Sequence, residues 1–135
     1  MKFATAEDLW STCRYPENGK PLGKKNTRMY KEERLGNPNA WYTVRLHGNP
    51  IISITKYGHQ LSHCGWKSIT TKQRLNQFTP YTIYQKDWEW FVTTSQGTYQ
   101  FIGGMFIDNE GYAYETYSTV WGPPMQRERM KPLEE

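Results

Sequence analysis

Apolar and polar positions alternate most clearly from Trp41 onward, where Tyr42, Val44 and Leu46 share one face and Thr43, Arg45 and His47 the other. Gly48-Asn49-Pro50 supplies a tight connection. Ile51–Tyr57 reads as the returning strand, and Tyr57-Gly58-His59 turns into a third strand, Gln60–Cys64. Together these predict an antiparallel meander. After Gly65 the period lengthens. Thr70 and Gln73 have capping-box spacing, Leu75 and Phe78 fall on one face, and Pro80 is a stop, so a helix is expected over Thr71–Phe78. Alternation returns in Tyr81–Lys86, Trp88–Thr94, Thr98–Ile102, Met105–Ile107 and Tyr112–Tyr117, with Trp88, Trp90 and Val92 on one face. Upstream, Thr5 as N-cap, with Glu7 and Asp8 in the first turn and Leu9 and Trp10 as apolar anchors, predicts a short helix. A polar loop with Pro16, Gly19, Pro21 and Gly23 follows, then a strand at Thr27–Lys31. The expected fold class is α+β: one domain, with an antiparallel twisted sheet of about six to seven strands, one central helix across a face and a short N-terminal helix.

Composition narrows this picture. The 135 residues suit a single domain over residues 1–124, with 125–135 as a charged, mobile tail. Six Trp and ten Tyr supply large rings, which bury much area per residue and hold a sheet together with few other apolar side chains. There is no apolar run of membrane-spanning length and no charged-then-apolar signal peptide, so no membrane partner is expected. Cys13 and Cys64 are expected to stay reduced thiols.

Charge is strongly uneven. No Asp or Glu lies between Arg34 and Lys86, a stretch that holds seven Lys or Arg and all three histidines. Formal charge is +2 over residues 1–33, +7 over 34–86 and −5 over 87–135. A local positive field attracts phosphate and other anions, unless the acidic segment folds back to cancel it.

Two segments carry a resemblance: Val44-Arg45-Leu46-His47-Gly48, and Gly65-Trp66-Lys67-Ser68-Ile69-Thr70-Thr71-Lys72-Gln73-Arg74-Leu75-Asn76-Gln77-Phe78. Together they resemble a group of small, uncharacterised proteins encoded by tailed bacteriophages and seen in viral metagenomes. Asn26-Thr27-Arg28 and Tyr84-Gln85-Lys86 with Trp88-Glu89-Trp90 look similar to the same group. The likeness covers roughly residues 18–107, leaving out the N-terminal helix and the proline-containing tail. It implies a viral origin and a compact domain acting in the host cytoplasm. It implies no activity, so no catalytic residue carries over.

The chemistry read from the residues centres on the predicted helix start. A helix N-terminus presents unpaired N–H groups and partial positive charge to an anion. Thr70 and Thr71 would add hydroxyls, Lys67, Lys72 and Arg74 charge, Arg45 and His47 an extension along the first core strand, and Trp66 a stacking ring. These eight residues are the candidate phosphate or nucleic-acid site. The plainer alternative makes them cap, core and solvated surface. His59, His63 and Cys64, with Cys13 or His47, offer zinc ligand types, but at a spacing unsuited to a strand, so no metal or other cofactor is expected. His47 or His63 beside Asp108 or Glu110 is a weak catalytic pairing, because Asp108-Asn109-Glu110-Gly111 is already explained as a turn. No enzyme is expected. Three functions remain: a binder of nucleic acid or nucleotide, a protein inhibitor of a host defence or nucleic-acid-processing factor, and a homo-oligomeric virion or assembly component.

Overall fold

Strand pairing follows the alternation. The computed structural model describes residues 1–24, 26–33, 39–65, 67–115 and 128–133. Helix α1 spans Phe3–Ser11 and helix α2 spans Ile69–Phe78. The strands are β1 (Lys20–Pro21), β2 (Thr27–Glu32), β3 (Trp41–Leu46), β4 (Asn49–Thr55), β5 (Gly58–Leu61), β6 (Thr82–Lys86), β7 (Glu89–Thr94), β8 (Gly97–Gln100), β9 (Met105–Asp108) and β10 (Ala113–Tyr114). Seven of them form one antiparallel sheet, in the order β1-β2-β3-β4-β5-β9-β10, and β6-β7-β8 form a second. The chain is therefore an α+β domain with a seven-stranded antiparallel sheet, to which the sequence reading had not added the separate three-stranded sheet.

One face of the large sheet is buried from β2 to β10 and almost wholly apolar. Met29, Val44, Ile52, Leu61 and Met105 lie in one cross-strand row, and Tyr42, Ile54, His59, Ile107 and Ala113 in the next; all are buried. Helix α1 covers part of this face, with Phe3 and Trp10 tilted against the Tyr42 ring. Leu75 and Phe78 of α2 join the same core, as do Ile83, Val92 and Tyr99 of the small sheet. A single core thus holds both sheets and both helices, as expected for one domain.

Local chemistry sets the ends. The cap of α1 is Lys2 rather than Thr5, without a side-chain hydrogen bond. At α2 the cap is Ser68, whose Oγ accepts the Thr71 N–H at 3.1 Å. The Thr70–Gln73 spacing that suggested a capping box belongs to the helix interior, and the helix begins two residues earlier than expected. Trp88 is also displaced from its expected strand: with Asp87 it forms the β6–β7 turn, at φ 69° and 52°.

Strand β6 is an edge, and a side chain occupies it. Asn76 of α2 accepts the Ile83 N–H at 2.7 Å and donates to the Ile83 carbonyl at 2.8 Å and the Lys72 carbonyl at 3.0 Å. Its amide imitates a neighbouring strand and blocks pairing with another chain. Asn76→Ala is expected to lower unfolding free energy by about 2 kcal/mol, because two partly buried backbone groups lose partners. Urea titration measures the loss, and light scattering the exposed edge.

The charged tail also returns to the body. Within the stretch the sequence reading set apart as a mobile tail, the Met130 N–H donates to the Ala113 carbonyl and the Leu133 N–H to the Thr98 carbonyl, each at 2.7 Å. Arg129 lies 3.7 Å from the centre of the Tyr112 ring. Residues 128–133 therefore connect β10 of one sheet with β8 of the other.

Candidate functional site

A hairpin end, a loop and a helix start enclose the cleft nearest the predicted site. The β3–β4 turn is His47-Gly48, both left-handed at φ 51° and 82°, the combination a two-residue type I′ turn requires. His47 is exposed there, and its N–H donates to the Asn26 carbonyl at 2.8 Å. A bulge between Val44 and Arg45 leaves Ile51 without a cross-strand partner and turns it into the interior, 2% exposed. Facing this hairpin, the loop after β5 bends through Cys64 and Gly65, both left-handed, and runs into Ser68.

The cleft between them measures about 320 Å³. Leu46 and Ile51 make an apolar floor, His47, Asn49 and His63 the walls, and Ser68, Thr70 and Thr71 the rim at the start of α2. The Ile69 and Thr70 N–H groups, first in the helix, have no intrahelical acceptor. His63 is held firmly: its ring stacks on Phe101 at 5.6 Å and meets Trp90 edge-on at 5.7 Å. Its Nδ1 accepts the Gly65 N–H at 2.9 Å, so in the neutral ring the proton sits on Nε2. Burial, and secondarily the Lys67 ammonium, push its pKa down. His63 is therefore a neutral hydrogen-bond donor at pH 7.

Of the eight predicted residues, His47, Thr70 and Thr71 line this cleft, and Lys67 adjoins it through its effect on His63. Three do not converge there. Arg45 points from the opposite face of the large sheet, donating to the Gly48 carbonyl at 3.1 Å and pairing with Glu32 at 3.4 Å. Lys72 reaches the small sheet, bonding Gln85 at 3.3 Å and lying 5.8 Å from the centre of the Trp90 ring. Arg74 is 9% exposed, its Nε donating to Thr27 Oγ1 at 2.9 Å. Helical spacing sends residues 72 and 74 to different sides, so a run of cations along the chain does not become one patch. Trp66 lies outside the described residues.

Sequence reasoning missed Ser68, Asn49 and His63 as cleft residues. Ser68 carried a signal, a small hydroxyl just before a helical period; the other two depend on the bulge and the loop bend. Among the described residues, no ion pair joins Glu89, Glu110 or Glu115 to Arg45, Lys67, Lys72 or Arg74.

The other chemistry is accounted for structurally. His59 is 4% exposed, its two ring nitrogens facing Tyr81 Oη and the Met1 carbonyl. Asp108 Oδ1 accepts the Glu110 and Tyr112 N–H groups, and Oδ2 the Tyr114 hydroxyl, as a turn-forming carboxylate does. Among the described residues no three of His, Cys, Asp and Glu are placed to hold a metal ion, and no helix is long and apolar enough to cross a membrane.

The elements that build this cleft, β3, the loop after β5 and α2, all fall inside the region matched by one family model, which spans residues 11–109. The chain belongs to the Kyanoviridae Gp96 protein family. The likeness to tailed-phage proteins seen in the sequence is thereby shown, and the chain is a phage protein. The family match begins at the end of α1 and stops at the turn after β9, so it takes in most of the large sheet and all of the small one. No curated protein and no solved structure matches the chain.

Proposed function

We propose that this family member is a non-enzymatic binding protein of the host cytoplasm that takes a phosphate-bearing ligand, a nucleotide or nucleic acid, in the cleft at the start of α2. The observation that supports this reading is the cleft itself. It is lined by Ser68, Thr70 and Thr71 at the N-terminal end of α2, where helix amides lack intrahelical acceptors, and by the apolar side chains of Leu46 and Ile51. Thr70 gives a discriminating variant. A carboxylate in the first turn favours the helix dipole, so Thr70→Glu is expected to leave stability equal or slightly raised. The same charge repels phosphate and is expected to weaken binding at least about tenfold. Fluorescence titration with a labelled nucleoside triphosphate at low salt, beside a thermal melt, reads both. Wild-type protein that binds no nucleotide, or Thr70→Glu that binds it equally well, removes the proposal.

A second reading, a protein inhibitor of a host factor, draws on Trp88. Its ring is 89% exposed at the tip of the β6–β7 hairpin. A left-handed conformation costs a residue with a side chain about 1 kcal/mol, and exposed Trp is a frequent anchor in protein interfaces. Trp88→Gly is therefore expected to raise the melting temperature by a few degrees. On this reading it also abolishes capture of a nuclease-resistant host partner. A variant that melts lower would show that Trp88 serves the fold.

A further inference from the structure

A second hollow lies away from α2, at the edge where the chain leaves α1, passes a short 3-10 turn (Pro16–Asn18) and enters β1. It measures about 670 Å³ and is lined by Arg14, Tyr15, Lys20, Arg28 and Tyr30, with Glu17 the single acid among its lining residues. Two of these cations are tied to uncharged partners. Lys20 donates to Thr12 Oγ1 and Arg28 to the Asn18 carbonyl, each at 3.1 Å, and among the described residues no ion pair involves Arg14, Lys20 or Arg28. Arg28 stands directly opposite Arg45 in the β2–β3 register. Like charges in that position oppose sheet pairing, so the fold retains them at a cost. Glu32 offsets only Arg45.

Two rings lie among these charges. Tyr15 is 58% exposed. Tyr30 is fixed in place: its ring packs on the backbone of Gly19, where a β-carbon would stand 2.7 Å from the ring, and the Arg45 guanidinium lies 5.5 Å from its centre. An open, cationic groove with one exposed ring and a second held half-buried matches a ligand with regularly spaced phosphates and stackable faces. An enclosed apolar hollow, as a small hydrophobic ligand needs, is not what these residues build.

We propose that this groove binds single-stranded nucleic acid, its phosphates meeting Arg14, Lys20 and Arg28 while a base stacks on Tyr15. The site shares no residue with the α2 cleft and stands whether or not the reading of that cleft holds. The test is fluorescence anisotropy with a labelled oligothymidylate of about twelve residues and an abasic strand of equal length. Oligothymidylate is expected to bind more tightly than the abasic strand. Tyr15→Ala is expected to weaken oligothymidylate about tenfold and leave the abasic strand unchanged. Arg14→Ala is expected to weaken both and reduce the salt slope by about 0.7. Both residues are exposed, so neither variant threatens the core. Gln77→Ala, at an exposed position of α2 that lines neither hollow, is the control and is expected to change neither. The proposal is overturned if the two strands bind alike, if neither groove variant has an effect, or if Thr70→Glu alone abolishes strand binding.

Discussion

Gly58→Ala is expected to lower the stability of this domain by about 4 kcal/mol, a large part of what a domain of this size possesses. Gly58 sits at φ 148°, opposite Asp108 in the β5–β9 pairing. A β-carbon there would overlap the Ile107 carbonyl oxygen and stand 2.7 Å from Asp108 Cα. Both obstacles are backbone, in a strand whose Met105, Phe106 and Ile107 side chains are buried, so neither can swing away. Relief requires separating β5 from β9, where β10 completes the sheet beyond β9. Gly48→Ala is the control. That glycine is also left-handed, at φ 82°, but its missing β-carbon meets nothing within 4 Å. Only the conformational cost applies there, about 1 kcal/mol. Denaturant unfolding of the two variants should therefore separate them by about 3 kcal/mol. Equal losses would mean that β5 and β9 do not approach as described. The loop carrying His63 follows β5 directly, so the variant should also weaken any ligand of the α2 cleft, whereas the Arg14 groove on β1 and β2 should be less affected.

How much of this was legible in the chain depends on the range of the interaction. The β3–β4–β5 meander followed from alternation between Trp41 and Leu61, because neighbouring strands pair with neighbours and period two survives locally. The end of α2 was legible for the same reason, in Phe78 and Pro80. Trp88 was misplaced because its apolar character suggested a strand face, while the Asp87-Trp88 turn breaks the usual preference for glycine at left-handed positions. The split into two sheets was not legible: β5 pairs with β9, across more than forty residues, and nothing in Leu61 or Met105 announces the other. Charge misled in the same way. Seven cations between residues 34 and 86 suggested one basic patch, but a strand and a helix distribute their side chains to different faces, leaving Arg45, Lys72 and Arg74 apart. Meanwhile Arg14, Lys20 and Arg28, spread over a segment outside that acid-free stretch, come together because β1 folds back on β2.

Mild acid is the second strong lever, through His59. Its ring is enclosed, 4% exposed, between the core and α2's exit. The Met1 carbonyl can only accept, so Nε2 carries the proton, at 2.6 Å; Nδ1 then accepts from the Tyr81 hydroxyl at 3.0 Å. The neutral imidazole is satisfied on both sides, and Tyr81 lies edge-on to it at 5.4 Å. A second proton would create a buried cation, and burial accordingly lowers the His59 pKa from 6.5 to about 4. In the unfolded chain the same side chain titrates near 6.5. Between those values the unfolded state holds a proton that the folded state does not, so stability rises with pH across the window. The contribution is complete above about pH 6.5 and is lost as pH falls through about 4; the full span is about 3 kcal/mol. His63, also shifted downward by burial, adds loss of the same sign. Urea midpoints measured from pH 7 to pH 4 should fall steeply, and His59→Gln should flatten that dependence even though it lowers stability at pH 7. A wild-type profile no steeper than that of His59→Gln would place a charged, hydrated histidine where the structure has a dry, neutral one.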